Sequence, residues 1–448
     1  MQQFMKKNFY GIASSIPVHQ RSFFKYLYQQ FVPLLQPPLK EKTVQLRYDI
    51  TKSVIDMAKI LCCRQYDHIE LNEDEKSEKI ESTGEEEFYL CKKWRNSRKG
   101  WFLVNQNGED LSILINDSQN ISKQELGILK RLTSYLFDQQ QDSKQMEAAF
   151  LVRESEVEKT ELLLRTDKEK KLRVLLHILG IPSRGVMKNC EKKTEQNKDG
   201  SENTEAENLH DQIVKKLCDD EKWLNYVLTL DNILKMVAIF MKIRTNTPVI
   251  LMGETGCGKS CLIKFLSYAA NVKLIAVDVH GGFGRDDLRQ VMKDCNTQMS
   301  RDNEPEMWVF LDEVNTSPDI GWFKELICDR RLDGMKIHDQ IKIIAACNPY
   351  RPRKIQNTDN INVNDPLSKW VYRVFPLCET MKEYVWFFGQ LSALDEKQYI
   401  RGMVKELKEK FDKKSNVFKK IENSELTITE SIVESQQFLR KHLANESI

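Results

Sequence analysis

The sequence predicts an α/β fold, a parallel sheet with helices on both faces, preceded by a mainly helical region and followed by a helical lid. Three observations predict it. From Thr229 onward, apolar runs of strand length alternate with segments whose apolar residues recur three and four apart, the pattern of strands joined by crossover helices. Four of those runs are short, buried-type apolar stretches, as strands covered on both faces must be. The first run, PVILMG, meets the helical segment KSCLIKFLSYAA through a glycine-rich turn instead of an ordinary polar loop.

Ahead of this core, RSFFKYLYQQFVPLL, ITKSVIDMAKILCC, KQELGILKRLTSYLF and KKLRVLLHILG carry helical spacing, so residues 1–185 read as a mainly helical region. The exception is GWFLVNQNGEDLSILI, two apolar runs around Asn107 and Gly108, which predicts a β-hairpin near 101–115. The charge-rich LNEDEKSEKIESTGEEE reads as a solvated loop. Between Glu191 and Asn208 only Ala206 is apolar, so 186–210 is expected to be a disordered polar linker: burial there cannot offset the entropy of ordering. The core, 211–380, opens with the helix LDNILKMVAIFMKIR, which Thr229 or Asp231 can cap. It continues as strand PVILMG, helix KSCLIKFLSYAA, strand VKLIAVDV, helix DDLRQVMKDCNTQM, strand MWVFLDE, helix PDIGWFKELICD, strand IKIIAACN and strand WVYRVFPL. Residues 381–448, with EYVWFFGQL and YIRGMVKELKEKF, read as a helical lid, complete or cut short.

Composition bounds the functional classes. A chain of 448 residues with 41% apolar content has the material for about two or three domains. Its 68 lysines and arginines nearly balance 66 aspartates and glutamates, so no global field recommends nucleic acid or an anionic membrane as partner. The eleven cysteines, Cys62, Cys63, Cys257, Cys261 and Cys347 among them, lie mostly in apolar segments and form no C-x-x-C pair. They read as reduced thiols of a cytoplasmic protein and leave no zinc finger or RING. No apolar run approaches about 18 residues, so no transmembrane segment is expected, and the start MQQFMKKNFYG lacks a signal-peptide pattern.

The chemistry begins at Gly253-Glu254-Thr255-Gly256-Cys257-Gly258-Lys259-Ser260, which fits the P-loop pattern G-x-x-x-x-G-K-[ST] between a strand and a helix. The glycines let backbone amides turn onto phosphate oxygens, Lys259 reaches the β- and γ-phosphates of ATP, and Ser260 ligates Mg²⁺. The alternative is a glycine-rich turn without ligand. VFLDE then sets Asp312 and Glu313 at the carboxyl end of an apolar strand, where an open α/β sheet places its ligands. Asp312 would hold Mg²⁺ through water, and Glu313 would polarise the attacking water; a strand followed by an acidic helix cap is the plain alternative. IKIIAACN ends on Asn348, an amide able to hold that water, or else a turn opener before Pro349. Arg373 interrupts WVYRVFPL, where a charge is costly unless it lies at an edge or interface. It could serve as an arginine finger for a neighbouring module's ATP, in competition with Arg330 and Arg331, or form a surface ion pair. The N-K-x-D of a GTPase and the L-S-G-G-Q of an ABC ATPase are missing.

The order P-loop, Asp-Glu, asparagine and arginine resembles an AAA+ ATPase core over about 229–380. With MGETGCGKS, VHGG, LDEVNTS, IIAACNPYR, VYRV and VWFFGQL, the chain more closely resembles the mysterin family of giant AAA+ RING-type ubiquitin ligases with dynein-like ATPase modules. The specific motifs fall within 225–405, and the helical region before the linker, with LTLDNILKMVAIFMKIRTNTPVIL, also resembles the segment that precedes an active ATPase module in that family. It implies sheet order 5-1-4-3-2, ATP and Mg²⁺ at Gly253 to Ser260 and Asp312, and hydrolysis by Glu313 and Asn348. It further implies neighbouring AAA+ modules in cis or in other subunits, and the ubiquitin machinery, as partners. Because RING clusters and most other ATPase modules are missing, the chain reads as a fragment or truncated gene model, with ligase activity a property of the family alone. Two other readings stay open: a nucleotide-dependent scaffold with little turnover, and a stand-alone motor of the midasin or dynein type.

Overall fold

A computed structural model describes residues 17–34, 51, 54, 55, 58, 101–104, 111–114, 168–181, 209–224, 226–302, 305–350, 372–389, 393–409 and 416–446. The expected helix KQELGILKRLTSYLF and the polar stretch 191–208 lie outside them. In chain order the elements are α1 (Pro17–Leu34), β1 (Trp101–Val104), β2 (Leu111–Leu114), α2 (Lys168–Leu179), α3 (Leu209–Asp219), α4 (Glu221–Leu224) and α5 (Leu230–Arg244). There follow β3 (Val249–Met252), α6 (Lys259–Ala269), β4 (Lys273–Asp278), α7 (Arg285–Asp302), β5 (Met307–Asp312) and α8 (Ile320–Lys324). Last come β6 (Arg331–Leu332), β7 (Met335–Lys336), β8 (Ile341–Cys347), α9 (Glu379–Lys382), β9 (Val385–Phe387), α10 (Ala393–Glu409) and α11 (Asn416–Glu446). No helix of the described residues is long and apolar enough to cross a membrane.

The central sheet has five parallel strands in the order β4-β5-β8-β3-β9. Counted along the core, that is 5-1-4-3-2. Neighbouring residues of one strand face opposite sides, and each side has its own core. Val249, Leu251, Trp308, Phe310, Ile344 and Ala346 face α5 and α6. Ile250, Met252, Val309, Leu311, Ile343 and Ala345 face α7, α8 and the segment before β9. Continuous apolar strands follow from this double burial.

One element of the order is filled by other residues than expected. The fifth strand is Val385–Phe387, within the stretch read as lid helix, whereas the described part of WVYRVFPL, from Tyr372 on, has no strand. The backbone donors of that segment are satisfied elsewhere: Phe375 N–H by the Asn315 carbonyl at 2.7 Å and Leu377 N–H by the Tyr350 hydroxyl at 2.7 Å. Pro376 has no donor at all. Val385 and its aromatic neighbours instead lie along Ile250, Leu251 and Met252. Two buried lysines of α5 cap them, Lys235 over the Phe388 ring at 4.2 Å and Lys242 over the Trp386 ring at 4.6 Å.

The segment PDIGWFKELICD is also less regular than expected. It runs as α8 and then a π-helical turn, Glu325–Asp329, ending at Arg330 with a left-handed φ of 54°. A small antiparallel hairpin, β6–β7, follows; its turn residues Asp333 and Gly334 have φ of 55° and 76°. Arg285 and Arg289 of α7 both bind the Asp333 carboxylate and hold the hairpin down.

The N-terminal segments add to the first core. Phe23 and Tyr26 of α1, Val54, Ala58, and Leu172, Leu175 and Leu176 of α2 are buried in the same cluster as α5. The Tyr26 hydroxyl reaches Met241 Sδ at 3.5 Å. Strands β1 and β2 pair antiparallel, Trp101 opposite Leu114 and Val104 opposite Leu111. Beyond the sheet, α10 and α11 pack through Ile400, Val404 and Val433. Helix α10 approaches the core closely at Gly402, where an added Cβ would stand 2.4 Å from Val227 Cγ2.

Candidate functional site

The loop between β3 and α6 is built around two left-handed glycines, Gly256 (φ 83°) and Gly258 (φ 93°), conformations that a side chain disfavours. Gly258 is also the residue from which α6 starts. Gly253 serves a different need: a Cβ there would lie 3.0 Å from Cys257 Sγ and 3.1 Å from Phe388 Cβ, so its bareness lets the chain after β9 close against the loop. Lys259 is buried at 6% exposure, and its ammonium donates to the Gly253 carbonyl at 2.6 Å and the Glu254 carbonyl at 3.0 Å. Helix α6 is fixed from behind by Phe265, stacked on Tyr226 at 4.3 Å and edge-on to Trp223 at 5.3 Å.

Strand β5 brings its carboxylates to the same place. The Ser260 hydroxyl donates to Asp312 Oδ2, and Asp312 Oδ1 accepts the Glu313 N–H at 3.1 Å. Glu313 turns the chain sharply, with φ 56° and ψ 38°, a left-handed geometry uncommon for a residue with a side chain. The turn is secured by Thr316, whose N–H and hydroxyl both donate to the Glu313 carbonyl at 2.9 Å, the hydroxyl also reaching the Val279 carbonyl at 2.9 Å.

Asn348, buried at 4% exposure, stands just past β8. Its Oδ1 accepts the Thr255 hydroxyl of the loop at 3.4 Å. Three residues to which the sequence reading gave no role complete the arrangement. Asn315 bonds both backbone groups of Asn348, donating to its carbonyl at 2.8 Å and accepting its N–H at 3.0 Å. Tyr350 accepts the Leu377 N–H and donates to the Phe375 carbonyl at 3.2 Å; burial pushes its phenol up to about 12. Tyr372 donates its hydroxyl to the Glu254 carboxylate, and that contact holds its own pKa above the usual phenol range. Asn315 and Tyr350 sit inside LDEVNTS and IIAACNPYR, where a polar residue beside an apolar strand end was the available signal.

The three arginines part company. Arg373 is exposed and adjoins Tyr372, so its segment is tied to the chain's own loop. Arg330 is half-buried and donates to the carbonyls of His338 (3.1 Å), Asp339 (3.4 Å) and Ile341 (2.8 Å), at the end of β8 away from Asn348; desolvation lowers its pKa. Arg331 is exposed on the hairpin, with one donor on the Gly334 carbonyl at 3.3 Å.

The residues present fit ATP and Mg²⁺. The start of α6 and the open left-handed glycines offer bare amides to phosphate, Lys259 offers a cation, and the touching Ser260 hydroxyl and Asp312 carboxylate offer the hard oxygen donors that Mg²⁺ prefers.

Residues 226–351, which hold the glycine-rich loop, Asp312, Glu313, Asn315, Asn348 and Tyr350, match the RNF213 AAA domain. This segment belongs to the RNF213 AAA domain family. The chain is 37% identical over 245 residues to the human E3 ubiquitin-protein ligase RNF213, an alignment covering 48% of this chain and 4% of the human protein. It is 37% identical over 209 residues to the zebrafish E3 ubiquitin-protein ligase rnf213-beta, covering 40% and 4%, and 36% identical over 246 residues to mouse RNF213, covering 48% and 5%. The chain thus spans about one twentieth of the length of the curated relatives it matches. A parallel five-stranded sheet flanked by helices, carrying a nucleotide-type loop, is the architecture of an AAA+ core; the matched segment holds four of the strands, and Val385–Phe387 adds the fifth.

Proposed function

We propose that the RNF213-like AAA core binds MgATP and hydrolyses it, as one ATPase module of an RNF213-like E3 ubiquitin-protein ligase. The observation that carries this reading is the convergence of two strand ends on one loop: Asp312 on Ser260 with Glu313 beside it, and Asn348 on Thr255. The loop amides and Lys259 bind the triphosphate, and Ser260 and Asp312 hold the metal directly and through water. Bound Mg²⁺ supplies neutralisation of charge on the β- and γ-phosphates. Glu313 takes a proton from water, and the Asn348 amide orients that water toward the γ-phosphate. Neighbouring AAA+ modules and the ubiquitin machinery are the partners that fit the relatives.

Calorimetric titration of Lys259→Ala with MgATP tests the binding half. Removal of the cation weakens affinity at least about tenfold, or about 1.4 kcal/mol. Affinity equal to the parent's, in a chain that melts normally, would remove Lys259 and with it the phosphate assignment of the loop.

A further inference from the structure

The geometry points to Asn315 as a positioning residue: its buried amide fixes the backbone on both sides of the Asn348 Cα, so that the Asn348 side chain faces Thr255 of the P-loop. The inference rests on the hydrolytic reading above and adds to it the group that holds the water-orienting amide in place.

Strand β8 ends at Cys347 and its neighbour β5 at Asp312, so the N–H and C=O of Asn348 lie just beyond the ladder. Asn315, with no exposed surface, supplies what the ladder no longer can: Nδ2 donates to the Asn348 carbonyl at 2.8 Å and Oδ1 accepts the Asn348 N–H at 3.0 Å. A planar amide bonded to both fixes the two peptide groups that flank the Asn348 Cα, which sets the direction of the side chain leaving that carbon. That side chain meets the Thr255 hydroxyl at 3.4 Å. The main-chain carbonyl of Asn315 also accepts the Phe375 N–H at 2.7 Å, so the same residue anchors the segment carrying Arg373. A residue serving only stability at this point needs polar groups that are satisfied; one serving position needs a donor and an acceptor in this geometry.

Aspartate at 315 separates the two. Ionised, it keeps the acceptor and loses the donor, and it sets a charge against the Asn348 carbonyl. Protonated, it has both. In a fully buried site facing a carbonyl the neutral acid is favoured, which raises its pKa above the ordinary carboxylate range. Its working form is therefore present below that pKa and lost as pH rises through it. The neighbouring Tyr350 phenol and Cys347 thiol are both pushed up to about 12 by burial and stay neutral near pH 7. Asp312 and Glu313, on the same segment as Asn315, are common to parent and variant, and the parent's profile accounts for them.

The experiment is the steady-state ATPase profile of the parent, Asn315→Ala and Asn315→Asp chains from about pH 6 to about pH 8. Asn315→Ala is expected to lose roughly tenfold in kcat with KM within about twofold at every pH. Asn315→Asp is expected to match it at high pH and to regain roughly fivefold, relative to the parent, as pH falls. An Asn315→Asp profile parallel to the parent's, or a loss confined to KM, overturns the assignment. A parent chain without turnover overturns the hydrolytic reading instead. Amide exchange of the Asn348 N–H in the unmodified chain then decides the assignment, and it needs no variant to fold: protection comparable to that of β8 supports the clasp, and exchange at the rate of an open loop sinks it.

Discussion

Replacing Glu313 by glutamine is expected to cut ATP turnover by roughly 10² or more while leaving ATP bound. Glutamine keeps the length and shape of the side chain and removes the proton acceptor. The backbone at 313 supports a clean comparison, because its carbonyl is held by the N–H and hydroxyl of Thr316 and its N–H by Asp312, contacts in which the Glu313 side chain has no part. Ser260 and Asp312, which touch each other, would still hold the metal. Single-turnover hydrolysis alongside equilibrium ATP binding measures both halves. Unchanged turnover would make Glu313 a turn residue, and turnover near background in parent and variant alike would leave a nucleotide-holding scaffold as the better description of this core; loss of binding together with turnover would show that the substitution damaged the loop.

The other large effect belongs to Arg373. If its guanidinium reaches the γ-phosphoryl of ATP on a neighbouring module, Arg373→Ala lowers turnover by about 10³ to 10⁵, the range seen where such arginines complete a phosphoryl-transfer site. The side chain is exposed, as an arginine acting across an interface has to be, yet its neighbour Tyr372 ties the segment to the chain's own Glu254. Mixing tells cis from trans. Arg373→Ala chains have an intact loop, and Lys259→Ala chains have an intact arginine, so associated mixtures recover part of the activity that each lacks if the arginine acts in trans. Activity of associated mixtures no higher than the sum of the separate chains would assign Arg373 to its own site. Unaltered turnover in Arg373→Ala alone would dismiss it from either role.

How far the sequence foretold this molecule depended on whether the cause of each feature was local. The sheet core was legible because strands buried on both faces must be apolar at successive positions, and Val249 to Met252, Met307 to Leu311 and Ile341 to Cys347 are buried throughout. The loop was legible because its glycines and Lys259 are required by its backbone and fall at fixed spacing. The fifth strand was misplaced because both candidate segments are apolar and aromatic. What decides between them is distant: Asn315 and Tyr350 occupy the donors of one, while Lys235 and Lys242 cap the rings of the other. Asn315 itself joins a residue 33 positions away, a pairing that exists only once β5 and β8 lie side by side. The hairpin β6–β7 is a different case. Its Asp333-Gly334 pair is a strong turn signal, but strands of two residues are too short to show alternation.

Glu313 sits where glycine would be at ease. A left-handed backbone costs a residue with a Cβ about 1 kcal/mol or more, so the chain tolerates a standing strain at the position proposed to do the chemistry. Selection of this protein for heat resistance alone would therefore drift toward Glu313→Gly, and the sturdiest survivors would be the ones that no longer turn over ATP.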